Sequence, residues 1–264
     1  MKQGFIKAAA VTPKIRVADP AYNAEVICAG LEDACAKGAK IIVFPELCIT
    51  GYTCGDLFLQ PLLLKEAARQ LVKIMERTQK KDALIMVGLP MERDGRLYNV
   101  AAVLCRGRLL GLVPKGNIPS YAEFYEGRHF AEGNEKPVPF LFAGESVPFG
   151  TNLLFSCEDM HGLIVGCEIC EDLWVASSPG TNHALKGATI LANLSASNET
   201  IGKDEYRELL VKSSSARLIC GYIYTSAGEG ESTQDLVFGG HNLIAENGIL
   251  LAQVKRFACE TLYA

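Results

Sequence analysis

The sequence predicts an α/β protein with a mixed sheet, on three observations. Short runs rich in valine and isoleucine alternate with amphipathic helical patterns, as in α/β proteins. Two strand–helix units follow one another near the start of the chain. Further along, Arg106-Gly107 has the composition of a two-residue hairpin turn, which makes the strands beside it antiparallel. With 264 residues, 49% of them hydrophobic, the chain can form one large core, and we expect residues 1–264 to be a single domain.

The first half of the chain contains five predicted strands and two predicted helices. The helix that begins near Pro20 ends at Gly38, because glycine is favoured just after a helix C-terminus. The second helix is predicted from apolar residues that recur at helical spacing. The strands are predicted at residues 5–11, 41–44, 84–88, 100–105 and 109–113, and the helices at residues 20–38 and 57–77.

Residues 114–151 are rich in proline and glycine and predict a long loop, which we expect to border the active site. After this loop the alternating pattern resumes, and its last two strands form a hairpin around Glu246-Asn247-Gly248. The strands of this half are predicted at residues 163–169, 189–194, 221–224, 243–245 and 249–254, and a helix is predicted at residues 204–218.

Composition argues against several partners and locations. A net charge of -4, from 26 basic and 30 acidic side chains, has the wrong sign for binding nucleic acid. No apolar run approaches the roughly 18 residues that span a bilayer, and no signal peptide precedes the first strand. We therefore expect a cytoplasmic protein that binds neither membrane nor nucleic acid. The ten cysteines are scattered through apolar segments, which is typical of reduced thiols.

Chemically active side chains follow four of the predicted strands. Glu46, Lys115 and Cys170 each come just after a strand, and Ser195-Ala196-Ser197 follows a fourth. In α/β sheets, catalytic groups lie beyond the carboxyl ends of the strands, so these side chains can meet at one edge. Each of them alone is more often a surface or packing residue, but together they suit an amidase. A thiol needs a base to become a nucleophile, and an ammonium can stabilise the oxyanion that its attack produces.

Other chemistries fit less well. None of the four histidines ends a clear strand, as a Cys-His pair would require. Cys167 and Cys170 have the spacing of a zinc or redox pair, but in a strand this offset places the two thiols on opposite faces. The glycine-rich residues 228–232 lack the lysine of a phosphate-binding loop. We therefore expect no metal site and no nucleotide site in this chain.

The ordered triad of glutamate, lysine and cysteine resembles the nitrilase superfamily of carbon-nitrogen hydrolases, and the resemblance covers nearly the whole chain. Within that superfamily the sequence is most similar to the glutaminase domain at the N-terminus of bacterial glutamine-dependent NAD synthetases. The resemblance implies an α-β-β-α sandwich, in which helices cover two mixed sheets. The motifs that carry it are residues 44–47 (FPEL), 50–58 (TGYTCGDLF), 168–174 (EICEDLW), 191–199 (LANLSASNE) and 226–233 (SAGEGEST).

The resemblance also implies roles for single residues. It makes Glu46 the general base, Lys115 the oxyanion stabiliser and Cys170 the nucleophile that forms a glutamyl thioester, with Glu126 as a second glutamate that supports the lysine. The polar groups of glutamine would be contacted by the residues that match the family's substrate-binding positions. These are Tyr121, Ser197 and Lys203, with Glu171 and Tyr52 close by.

The resemblance finally implies a partner. In the family, a synthetase domain that requires ATP and Mg uses the released ammonia to amidate deamido-NAD, and no pyrophosphate loop of that domain occurs in these residues. We expect an isolated glutaminase domain that needs no cofactor, works with the synthetase domain of a longer polypeptide and forms a homo-oligomer. Two alternatives stay open: a stand-alone amidase that acts on another small amide or carbamoyl compound, and a non-catalytic oligomerisation or allosteric module.

Overall fold

The structure is a computed structural model that describes residues 4–264. Its α-helices are α1 (Pro20–Ala36), α2 (Pro61–Thr78), α3 (Pro179–Leu185) and α4 (Lys203–Leu218). Its strands are β1 (Ala8–Ala10), β2 (Ile41–Val43), β3 (Leu84–Arg93), β4 (Arg96–Cys105), β5 (Arg108–Pro114), β6 (Val138–Phe142), β7 (Glu145–Phe149), β8 (Leu154–Ser156), β9 (Ile164–Ile169), β10 (Ile190–Ser195), β11 (Gly221–Ser226), β12 (Leu243–Glu246), β13 (Ile249–Gln253) and β14 (Leu262–Tyr263). No helix within residues 4–264 combines the length and apolar composition needed to cross a bilayer.

The strands form two mixed sheets that pack face to face, as predicted. The first has the order β14-β1-β2-β3-β4-β5-β7-β6, and the second has the order β13-β12-β11-β10-β9-β8. Val43 and Val113 of the first sheet pack against Ile169 and Leu194 of the second in one buried cluster. The helices α1 and α2 cover the outer face of the first sheet, where Ile27 and other apolar side chains are buried. The predicted α-β-β-α sandwich is therefore confirmed.

Helix α4 covers the second sheet although its sequence is mostly polar. It buries Val211 together with Arg207 and two small serines, Ser214 and Ser215. Small side chains let a helix lie close to a sheet without a wide apolar stripe. The predicted helix at residues 204–218 is confirmed, and Arg207 is its one buried charge.

The hairpin at Arg106-Gly107 is confirmed, but a second hairpin was missed. Strand β3 continues past residue 88 to Arg93, turns at Asp94-Gly95 and pairs with β4 from Arg96 onward. Both turn residues have positive φ, as an Asp-Gly turn allows. The predicted strands at 84–88 and 100–105 were too short, because charged side chains at the hairpin tip interrupt the apolar pattern.

Four further boundaries are corrected. The strand predicted at 5–11 is limited to β1. The helix predicted from residue 57 starts at Pro61, because the residue before a proline favours extended backbone, and residues 55–59 form a 3₁₀ turn. The predicted loop at 114–151 contains the β6–β7 hairpin, in which Pro139 faces Pro148 near the sheet edge that proline tolerates. The strand predicted at residues 163–169 begins one residue later, as β9.

Gly88 of β3 lies directly beneath the turn that carries Glu46. A Cβ added at Gly88 would lie 2.3 Å from the Leu47 nitrogen and 2.6 Å from the Pro45 carbonyl oxygen. Because these are backbone atoms, Gly88→Ala should lower the free energy of unfolding by about 3 kcal/mol, measured by denaturant unfolding. Gly221→Ala is the matched control, since its Cβ would meet only Ile190 at an ordinary 3.5 Å. Equal stability of the two variants would contradict this account of the Glu46 turn.

Candidate active site

The carboxyl ends of β2, β5, β9 and β10 bring the predicted catalytic side chains to one edge between the sheets. The Lys115 ammonium donates to Glu46 Oε1 at 2.7 Å. The Ala196 amide, which follows β10, donates to Glu46 Oε2 at 2.8 Å. Cys170 begins the 3₁₀ turn that follows β9. Glu46, Lys115 and Cys170 are all buried, and none of them is more than 6% exposed.

The Lys115 ammonium lies between two carboxylates. It donates to Glu126 Oε1 at 2.7 Å as well as to Glu46. Tyr52 donates its hydroxyl to Glu126 Oε1 at 2.8 Å, and Asn99 donates its amide to Glu46 Oε1 at 2.6 Å. Sequence reasoning singled out Tyr52 and Glu126 but missed Asn99, an amide in the middle of the apolar strand β4. A polar side chain inside such a run was the signal that could have found it.

The charges of this cluster fix its protonation. Burial alone would lower the pKa of the Lys115 ammonium, but Glu126 and Glu46 raise it well above its usual value. Burial raises the pKa of the Glu126 carboxyl, and the charge of Lys115 opposes this rise. Burial and the charge of Glu46 raise the pKa of the Cys170 thiol, and Lys115 offsets only part of that rise. The resting site therefore holds an ammonium and a neutral thiol.

The backbone of Cys170 is strained. Its φ is 45°, a left-handed conformation that residues other than glycine rarely adopt, and Leu47 beside Glu46 has a φ of 51°. Asn193 accepts a hydrogen bond from the Cys170 N–H at 3.2 Å and another from the Ser195 hydroxyl at 2.7 Å. Strain of this kind collects at functional sites and is held there by surrounding contacts. Neither the strain nor Asn193 was foreseen from the sequence.

Asp172 ties the Cys170 turn to the segment that follows Lys115. Its carboxylate accepts from the Ile169 N–H at 3.0 Å. It also accepts from the backbone and side-chain nitrogens of Asn117, both at 2.8 Å. Burial raises the pKa of this carboxyl, and the hydrogen bond from Ile169 opposes the rise. The Cys170 turn and the segment after Lys115 are thus joined by a residue that lies on neither strand.

The residues predicted to contact substrate form two pairs around Cys170. The Tyr121 hydroxyl donates to Glu171 at 3.0 Å, and Tyr121 is 55% exposed. In the second pair, the Lys203 ammonium donates to Asn198 and lies 5.2 Å from the centre of the Trp174 ring. Burial lowers the pKa of Lys203, and the charge of Cys170 opposes this.

Ser197 lies beside this second pair and is buried. Its hydroxyl accepts a hydrogen bond from Arg207, which the sequence did not single out. A cavity of about 220 Å³ adjoins the cluster, and Tyr52 and Glu126 form part of its wall together with Phe124, an aromatic residue that sequence reasoning also missed. Cys170 is not among the residues that line this cavity.

Glu168 is a further buried carboxyl, two residues before Cys170. It accepts hydrogen bonds from the Tyr222 hydroxyl and, at 2.7 Å, from the Gly180 N–H. Burial raises the pKa of Glu168 to about 7, although the Tyr222 hydrogen bond opposes the rise. These partners place Glu168 on the face of β9 that packs against helices, away from the Glu46 cluster.

The stability of the protein should therefore fall as pH rises through the range in which Glu168 ionises. A free carboxyl has its pKa at 4.5, whereas folded Glu168 keeps its proton up to about pH 7. The folded state binds more protons than the unfolded state between these values, so the free energy of unfolding decreases with rising pH. Denaturant unfolding at several pH values measures this slope, which Glu168→Gln should reduce. The same slope in both proteins would contradict the assignment.

Known proteins share the sequence pattern and the fold of this chain. Residues 7–264 match the family model described as "Carbon-nitrogen hydrolase". A glutamine-dependent NAD(+) synthetase from Mycobacterium tuberculosis is 43% identical over 256 residues, which cover 97% of this chain and 38% of that protein. The chain thus spans well under half the length of the curated relatives it matches.

Solved structures show the same fold. The crystal structure of a glutamine-dependent NAD(+) synthetase from Cytophaga hutchinsonii matches with a TM-score of 0.88 and 30% identity, over 98% of this chain and 42% of that one. An amidase from Nesterenkonia sp. has a TM-score of 0.76 at 18% identity, over 100% of this chain and 90% of that one, and shares the fold. The chain belongs to the carbon-nitrogen hydrolase family, within the nitrilase superfamily that its motifs predicted.

Proposed function

We propose that this chain hydrolyses the side-chain amide of L-glutamine to glutamate and ammonia. The observation that carries the proposal is the buried Lys115 ammonium, which two carboxylates hold at the strand ends that also carry the strained Cys170. The names of the relatives support glutamine as the substrate, because they are glutamine-dependent enzymes. The family supports hydrolysis of a carbon–nitrogen bond.

In the first step, the Cys170 sulfur attacks the amide carbon of the substrate while Glu46 takes the thiol proton. A general base is needed because the thiol is neutral at rest, its pKa being raised by burial. Lys115 stabilises the oxyanion that forms. Glu46 then gives its proton to the leaving nitrogen, so the carbon–nitrogen bond breaks, ammonia leaves and a glutamyl thioester remains.

In the second step, Glu46 takes a proton from water, whose oxygen attacks the thioester carbon. The carbon–sulfur bond breaks, the sulfur recovers a proton from Glu46 and glutamate leaves. Glu126 holds the Lys115 ammonium throughout by a hydrogen bond at 2.7 Å, and Tyr52 holds Glu126 by one at 2.8 Å. Neither step calls for a cofactor.

The two charged ends of the substrate suit the charges of Lys203 and Glu171. Lys203 is a half-buried cation suited to the α-carboxylate of an amino acid, with Ser197 beside it. Glu171, steadied by the Tyr121 hydroxyl, is suited to the α-ammonium. A cation and a carboxylate near one thiol favour a zwitterionic substrate over a simple aliphatic amide.

The ammonia would serve a synthetase. The relatives carry this name and are more than twice as long as the stretch this chain matches. We propose that the partner is a synthetase domain, which receives the ammonia and uses ATP and Mg. We also propose that the assembly is a homo-oligomer in the cytoplasm.

Release of ammonia from a panel of amides tests the proposal. L-glutamine should be hydrolysed with a kcat/KM at least about 100-fold above those of L-asparagine and butyramide. The charges of Lys203 and Glu171 select both the length and the head group of the substrate. Preference for butyramide would contradict the proposal and support an amidase for other small amides. Binding of glutamine with no hydrolysis, even with a synthetase partner supplied, would support a non-catalytic module.

A further inference from the structure

Arg207 is a fully buried guanidinium on α4 that the proposed mechanism does not use. It lies one helical turn after Lys203, so both side chains leave the same face of the helix. One of its terminal nitrogens, Nη1, donates to Glu199 at 2.9 Å and to His241 Nδ1 at 3.0 Å. Burial and the charge of Arg207 lower the pKa of His241 to about 4, so this ring is neutral and accepts.

The other terminal nitrogen, Nη2, is directed at the substrate side. It donates to the Ser197 hydroxyl at 3.3 Å and to the Asn198 carbonyl oxygen at 3.1 Å. The Asn198 side chain in turn accepts from Lys203 and donates to Glu123. A single guanidinium therefore holds Ser197 and the Asn198 backbone, and through Asn198 it supports Lys203, the proposed contact to the α-carboxylate of the substrate.

A buried charge of this kind is costly unless its partners are in place, and breaking one side of it leaves the other uncompensated. None of the contacts of Arg207 reaches Glu46, Lys115 or Cys170. Its influence should fall on how the substrate is held and not on the reacting atoms.

We infer that Arg207 is a positioning residue that sets selectivity for the amino-acid end of the substrate, acting through Ser197 and Asn198. The inference rests on the proposed function, because it assigns the same site its head-group specificity. A lysine cannot replace Arg207, since only the planar fork of a guanidinium can bind both groups of contacts at once.

The test compares two reagents that modify Cys170. One is the diazoketone analogue of L-glutamine, which carries the amino-acid end, and the other is iodoacetamide, which lacks it. In Arg207→Lys, the concentration of diazoketone that gives half-maximal labelling rate should rise about tenfold, with the maximal rate within about twofold of wild type. The rate with iodoacetamide should not change. Modified peptides are identified by mass spectrometry.

Arg256→Lys is the matched control. Arg256 contacts Glu199 and Asp204 in the same charge network but neither Ser197 nor Asn198, and it is partly exposed. Its labelling should equal that of wild type. Thermal unfolding checks that each variant is folded. If Arg207→Lys does not fold, Glu199→Gln, which removes the counter-charge and keeps an acceptor, should shift the half-maximal concentration in the same direction.

Each result has one meaning. An unchanged half-maximal concentration in the folded variant overturns the inference and leaves the proposed function standing. Equal slowing with both reagents also overturns it, because Arg207 would then support the nucleophile in general. If wild-type Cys170 reacts with iodoacetamide but shows no saturable labelling by the diazoketone, the proposed function itself fails and the inference falls with it.

Discussion

Replacing Cys170 with alanine should abolish hydrolysis of L-glutamine, a loss of at least about 10⁴-fold in kcat, because no other group can form the thioester. The fold should be nearly unaffected, since only a sulfur atom is removed, and the free energy of unfolding should change by about 1 kcal/mol. Ammonia release and denaturant unfolding measure the two effects.

Cys167→Ala is the matched control for this variant. Cys167 lies on β9, the strand that leads into the Cys170 turn, is fully buried and packs in the cluster between the sheets. Its loss should lower stability by a similar amount and leave kcat within a few-fold of wild type. An active Cys170→Ala protein would contradict the assignment of the nucleophile, whatever the control shows.

Replacing Lys115 with methionine should have the largest combined effect. The change leaves Glu46 and Glu126 buried together without the cation that both contact at 2.7 Å. The free energy of unfolding should fall by about 3 to 5 kcal/mol at neutral pH. The kcat should fall by at least about 10³-fold, because the oxyanion loses its partner.

The pH dependence of this variant follows from the same charges. One of the two carboxyls must bind a proton in the folded state, so its pKa rises above that of the unfolded chain. The folded state then binds more protons, and Lys115→Met should lose stability as pH rises and regain it as pH falls. The double variant with Glu126→Gln removes one carboxylate, and it should recover stability but not activity. No recovery would contradict the electrostatic explanation.

The sequence was sufficient for the triad because strand ends can be located from local patterns. Glu46, Lys115 and Cys170 each follow an apolar run, and parallel strands place their carboxyl ends at one edge. Which strands are neighbours cannot be read from periodicity. The division into two mixed sheets came from the family resemblance and is confirmed, whereas the order of the strands within each sheet was not predicted.

The groups that hold the triad could not be predicted in this way. Asn99, Asn193 and Asp172 act on residues far away in sequence, so no local pattern marks them. The positive φ of Cys170 is likewise imposed by its surroundings, since a cysteine has no intrinsic preference for that conformation. These are consequences of tertiary packing.

The hairpins also differ in whether a local sequence pattern marks them. Arg106-Gly107 was identified because apolar strands flank it closely. Asp94-Gly95 has a stronger turn composition but stands among charged residues that hide the strands. The prolines and glycines of residues 114–151 predicted a loop there, and the Ala143-Gly144 turn, with its alanine at a φ of 49°, gave no signal for the hairpin of β6 and β7.

The central claim is that Cys170 is a nucleophile in a site built for glutamine. Covalent labelling with the diazoketone analogue of L-glutamine tests it most directly, because the reaction with the thiol does not depend on turnover or on a partner domain. We expect stoichiometric modification of Cys170, mapped by mass spectrometry, and no modification by the asparagine-length analogue. Modification of another cysteine, equal labelling by both analogues, or none at all in the folded protein would contradict the claim.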